Sequence, residues 1–252
     1  MKNIQAVLVL LLIIGTSAAA QTKAADSKIV FTAALTAAQE SPADTSHATG
    51  TAWAVLSEDS RQLTYHVTYA RLTSKFAASH FHIGSSGTPG PVVQPIKFSG
   101  NTASGTWTNI PDSVMAALLR GGIYINVHSS NYPAGEIRGQ LKPAGGIPFV
   151  ISLDPMQVTS AVTSEASGTG WAVLNKSDSA LTLTYGITIA GLSSAYAASH
   201  FHMGAAGQSG GVIQPITFTD SSAYGTWSKI PDADILSLLK NGLYVNVHSS
   251  NY

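Results

Sequence analysis

Leu63-Thr64-Tyr65-His66-Val67-Thr68-Tyr69 decides how this chain folds: Leu63, Tyr65, Val67 and Tyr69 fall on one parity, Thr64, His66 and Thr68 on the other. Side chains alternate between the two faces of a strand, so the stretch makes a β-strand of an antiparallel sheet with one face on a core. Working outward, comparable stretches lie at 28–36, 51–56, 79–83, 92–98, 103–108, 122–128 and 136–141. They are short, rich in Val, Ile, Thr and Tyr, and separated by Gly, Ser, Asn and Pro. One short helix interrupts them at 111–120, where Pro111 suits the first helical position, Asp112 favours the N-terminus and Gly121 stops it. The series predicts a β-sandwich or barrel.

The series occurs twice. Gly50-Thr51-Ala52-Trp53-Ala54-Val55-Leu56 returns as Gly168-Thr169-Gly170-Trp171-Ala172-Val173-Leu174, 118 positions on. Two extra residues in the 175–181 turn shift the offset to 120, at which Leu63-Thr64-Tyr65 matches Leu183-Thr184-Tyr185 and Gly105-Thr106-Trp107 matches Gly225-Thr226-Trp227. A period this long is a duplicated domain rather than a solenoid turn. The boundaries read as domain one over 28–141, a linker of turn-formers over 142–148, and domain two over 149–252. Domain two lacks a counterpart of Pro133-Ala134-Gly135-Glu136-Ile137-Arg138-Gly139-Gln140-Leu141, hence its final strand. The expectation is an open sheet edge there, and a chain that continues beyond Tyr252.

Composition narrows the function classes. Formal net charge is zero and charged residues are 10% of 252. With no basic stripe to neutralise phosphates, nucleic acid is excluded as a partner. No cysteine is present, which removes disulfides and thiolate metal sites. Lys2, the apolar run Ile4 to Ile14 and the small residues Ala18-Ala19-Ala20 read as a secretory signal peptide over 1–20, cut before Gln21, with an uncleaved anchor as the alternative. No later stretch is apolar for long enough to span a membrane, so a secreted or periplasmic chain is expected.

Chemistry concentrates in histidines. Ala78-Ser79-His80-Phe81-His82 and Val127-His128-Ser129-Ser130-Asn131-Tyr132 return as Ala198-Ser199-His200-Phe201-His202 and Val247-His248-Ser249-Ser250-Asn251-Tyr252. On a strand His80 and His82 share a face opposite Phe81, and His128 lies opposite Ile123, Ile125 and Val127. All three therefore point away from the apolar side. Three neutral imidazoles from adjacent strands suit zinc or copper, so His80, His82, His128 and His200, His202, His248 are the candidate metal ligands. The competing reading is a hydrogen-bonded structural cluster. His47 and His66 do not recur in the second copy and read as surface residues.

Other features read more simply. Glu136 and Arg138 share a face, where an ordinary cross-strand ion pair is expected, or the carboxylate orienting an imidazole. Trp53, Trp107, Trp171 and Trp227 read as core aromatics. Gly84-Ser85-Ser86-Gly87-Thr88-Pro89-Gly90 opens no helix and is a loop, not a phosphate cradle. No Asp recurs to complete a hydrolase triad with the serines beside His128 and His248, so no catalytic residue is assigned.

The succession His80-Phe81-His82-Ile83-Gly84, Gly105-Thr106-Trp107, Gly122-Ile123-Tyr124-Ile125-Asn126-Val127-His128 and Tyr132-Pro133-Ala134-Gly135-Glu136-Ile137-Arg138-Gly139-Gln140-Leu141 resembles the CHRD domain, the module named after chordin and widespread in bacterial secreted proteins. The resemblance covers nearly all of both copies. It implies an extracellular β-sandwich of immunoglobulin-like character and, for bacterial members, no settled activity. In chordin such modules belong to a growth-factor-sequestering protein, but the cysteine-rich modules of that protein are missing here and the role is not carried over. Two tandem antiparallel Greek-key, immunoglobulin-like β-sandwich domains, each with one short helix, are therefore expected. His-x-His on such a strand is also similar to the copper site of copper–zinc superoxide dismutases, by analogy only. The expected function is a secreted binding or structural module for an unknown protein or surface ligand, with copper or zinc on each trio. A copper-dependent redox enzyme and a matrix or adhesion protein are the alternatives.

Overall fold

The computed structural model describes residues 28–57, 61–158, 163–176 and 180–251. The expected leader over 1–20 and its cut, the middle of the inserted turn at 177–179, and Tyr252 lie outside the described residues.

In repeat one β1 (Lys28–Thr36), β2 (Thr49–Ser57) and β3 (Gln62–Ala70) form an antiparallel meander, and β6 (Thr102–Trp107) pairs on β3. Between β3 and β6 the chain crosses to β4 (Phe76–Ile83), flanked by β5 (Val92–Pro95) and β7 (Ile123–Ser129). β8 (Ile137–Pro143) pairs with β7 on one side and returns beside β1 on the other. The order β5-β4-β7-β8-β1-β2-β3-β6 is one sheet folded at β8 into two layers. Tyr65 meets Phe81 edge-on at 5.0 Å and Phe81 meets Trp107 at 5.5 Å, so the predicted apolar parities of β3 and β4 face each other across the core. Helix α1 (Asp112–Leu119) closes one end with Val114, Ala117 and Leu118 buried; Pro111 takes the N-cap, one place before the first helical position.

Repeat two builds the same layers from β9 (Ile147–Leu153), β10 (Ser167–Lys176), β11 (Leu181–Ala190), β12 (Tyr196–Met203), β13 (Val212–Pro215), β14 (Ser222–Trp227), α2 (Asp232–Leu239) and β15 (Leu243–Ser249). Without a β8 counterpart among the described residues, the sheets β14-β11-β10-β9 and β13-β12-β15 stay separate. β9 and β15 thus keep the edges that β8 pairs in repeat one.

Expectations about the linker, β5 and the tryptophans need correction. The turn-formers of 142–148 shrink to Ala144, Gly145 and Gly146, because Pro143 ends β8 and Pro148 sits second in β9, strand-end positions where a missing N–H costs little. β5 stops at Pro95, three residues short, since the Ile96 N–H turns back to Ser79 O at 2.8 Å. Trp107 and Trp227 are core residues; Trp171 lies in neither sandwich core, and nor does Trp53. It packs with Val30 and Val150, across the boundary between the repeats.

That boundary is a second buried layer. The outer face of β1-β2-β3 lies on the outer face of β9-β10-β11. Trp53 Nε1–H donates to Ile151 O at 3.3 Å and Trp171 Nε1–H to Ala33 O at 3.4 Å. Thr49 and Ser222 share a hydrogen bond of 2.8 Å, Thr102 and Ser167 one of 2.7 Å. Ala33 and Ile151, Thr49 and Ser167, and Thr102 and Ser222 are equivalent positions of the two repeats. The contacts are therefore reciprocal, as across a two-fold axis. Thr51 and Thr68 both donate to Thr169, by Oγ1–H to its carbonyl and hydroxyl oxygens. His66, expected on the surface, is half-buried and stacked on Trp53 at 4.5 Å.

Candidate metal centre

Strand parity does to the histidines what the sequence requires. Phe81, Ile123, Ile125 and Val127 point into the core, so His80, His82, Tyr124, Asn126 and His128 face outward. Register sets His80 against Asn126, His82 against Tyr124 and Ala78 against His128. Ligating nitrogens of His80, His82 and His128 lie within 4.8 Å of one another, and those of His200, His202 and His248 do likewise. His80 Nδ1 is 3.4 Å from His128 Nε2. Both predicted trios are brought together.

Loops fix the tautomers. His82 Nδ1 lies 2.8 Å from Gly90 O and His128 Nδ1 3.0 Å from Pro133 O. A carbonyl oxygen only accepts, so each Nδ1 carries the proton and each Nε2 keeps a lone pair. The His202 Nδ1–H meets Gly210 O in the same way at 2.9 Å. Nε2 of His82 and of His202 is buried without a hydrogen-bond partner, as is His200 Nδ1. Buried nitrogens are rarely left so, and a metal ion is one partner that would satisfy them.

Electrostatics favour the neutral form. Burial holds the His80 imidazole below the ordinary histidine range, helped by neighbouring His82. Burial does the same for His128, against the opposing pull of its bond to Pro133. His200 and His248 are lowered chiefly by burial too. Unprotonated imidazoles are the form that coordinates.

Sequence reading missed the surroundings. Tyr124 stacks on His82 at 4.9 Å, and its hydroxyl accepts the Gly90 N–H at 3.0 Å. Arg138 places its guanidinium 3.4 Å over the Tyr124 ring. Glu136 lies just ahead of β8 rather than on it, and among the described residues neither it nor Arg138 is in a salt bridge, and the carboxylate makes no hydrogen bond to an imidazole. Glu136 accepts from Ser46 Oγ–H at 2.6 Å and Thr73 N–H at 2.7 Å, while Arg138 donates to loop carbonyls. Ser129 and Ser249 follow their histidines on the opposite strand face and are buried there. Among the described residues no helix is long and apolar enough to cross a membrane.

A family model described as the CHRD domain matches residues 31–141 and again 149–252. Comparison with curated proteins gives no match, and comparison with solved structures gives none.

Proposed function

The chain belongs to the CHRD domain family, in two tandem copies, and on that premise we propose that it is an exported, non-catalytic binding module holding one copper or zinc ion per copy. The observation that carries the metal is the convergence of each trio within 4.8 Å, with buried nitrogens left unpaired. His82 and His128 would supply Nε2 and His80 Nδ1, a set of three neutral nitrogens that suits either metal. Export rests on the leader read over 1–20, and the partner is a protein or surface ligand. N-terminal sequencing of the protein recovered outside the cytoplasm tests export, with Gln21 as the expected first residue.

Elemental analysis of the purified chain, then titration of the chelated protein with Cu²⁺ and Zn²⁺, tests the metal. Two equivalents are expected, one lost in His82→Ala and none in His66→Ala. A chain that takes up no metal and melts identically after chelation leaves a structural histidine cluster instead. A redox enzyme is the second reading, favoured by half-buried His80, which leaves one side of the trio open to a small ligand. Superoxide turnover by the copper-loaded chain would establish it; inert copper protein would remove it.

A further inference from the structure

Arg138 is 2% exposed, a fully buried cation on the outer face of β8. Its guanidinium donates to Ser85 O at 2.7 Å, Thr88 O at 3.0 Å and Gln140 Oε1 at 3.3 Å. Ser85 and Thr88 belong to the loop that ends in Gly90, the residue whose carbonyl takes the His82 Nδ1–H. Gln140 fixes the start of that loop, donating from Nε2 to Gly84 O at 2.9 Å and Gly121 O at 2.7 Å. On its flat side the guanidinium covers Tyr124, whose ring lies within 13° of parallel to His82. Tyr124 also holds Gly90 N–H. Arg138 therefore bears on His82 by two routes, through the ring that stacks on it and through the loop that fixes its tautomer.

We propose that Arg138 is a positioning residue of the repeat-one metal centre, locking the His82 imidazole with Nε2 toward the trio. The inference rests on the metal reading above. An arginine suits the task because its planar fork spans two carbonyls while its face stacks; an ammonium does neither. Groups that orient a ligand in this way typically contribute 10–100-fold in metal affinity.

The test titrates the full chain with Zn²⁺ against a competing chromophoric chelator. His82→Ala and His202→Ala assign the two equivalents to repeats one and two. Arg138→Met is expected to weaken the repeat-one equivalent by about 10–100-fold and leave the repeat-two equivalent unchanged. Arg138→Lys should not restore it. Nitrogen shifts of the imidazoles give a readout that stability alone does not move: His82 is expected as one Nδ1–H tautomer in the parent and as a mixture in Arg138→Met. If that variant does not fold, Tyr124→Phe removes only the hydroxyl on Gly90 and is expected to weaken the same equivalent by about fivefold, the worth of one hydrogen bond. Unchanged repeat-one affinity in a folded variant, or an unchanged tautomer, overturns the inference and leaves the metal reading standing. No metal uptake by the parent chain overturns both.

Discussion

Trp53→Ala is the sharpest probe of how the repeats are joined. Trp53 is 7% exposed, stacks on His66, donates to Ile151 O and packs against Val30 and Val150. A tryptophan buries roughly 150–250 Å², which at about 25 cal/mol per Å² gives an upper bound near 4–6 kcal/mol. Truncation of such residues in cores costs about 3–5 kcal/mol. The gap here lies between two sandwiches that can shift together, so about 3 kcal/mol is expected, the low end of that range. The core of repeat one stays intact in the variant. Calorimetry and urea denaturation should therefore show the parent's transition dividing, with a midpoint lowered by roughly 6–12 °C for a chain of this size. Trp171→Ala, at the equivalent but more exposed position, should cost less. A loss below about 1 kcal/mol in Trp53→Ala, the size expected of a residue outside any buried contact, would refute a face-to-face union of the repeats.

Two further outcomes follow from the site. Burial raises the Glu40 carboxyl to about 7, with nearby Asp44 adding and Arg138 opposing. Its folded form keeps a proton that the unfolded chain releases, so its contribution is whole below about 4.5 and lost as pH rises through about 7. The depressed histidines act the other way: their own contribution to metal-free stability is whole above about 6.5 and falls as pH drops below it. Melting of Glu40→Gln from pH 4 to 9 should gain on the parent between those two carboxyl values; parallel curves would contradict the assignment. At Gly90 an added Cβ would fall on Ile83 O, and at Gly210 on Met203 O. Gly90→Ala should thus abolish the first metal equivalent and Gly210→Ala the second by titration, and retention of both would show that the loop carbonyls do not hold His82 and His202.

Much of this was legible in the residues. Period-two alternation at Leu63–Tyr69 located the core, and the parities of His80, His82 and His128 placed them outside it, because parity is a property of the strand alone. Trp53 was not legible as an interface residue: on its strand it shares a face with Thr51 and Val55, and only contact with repeat two shows that this face is buried as well. A tryptophan on a threonine-bearing face was the available signal. Carbonyls of Gly90 and Pro133 carry no sequence signature, since every residue has one. Arg138 read as half of an ion pair because charge is visible in a sequence and planarity over a tyrosine is not.

The reciprocal packing also settles where the trios point. In each repeat the histidines lie on the sheet layer remote from its neighbour, so the molecule is four layers deep with a trio on each outermost skin. Adjacent sheets stack about 10 Å apart, which puts the two skins roughly 30 Å from each other. No single ion or small molecule can span that distance. The two trios therefore face opposite flanks of the chain, and whatever occupies one would be held or lost independently of the other.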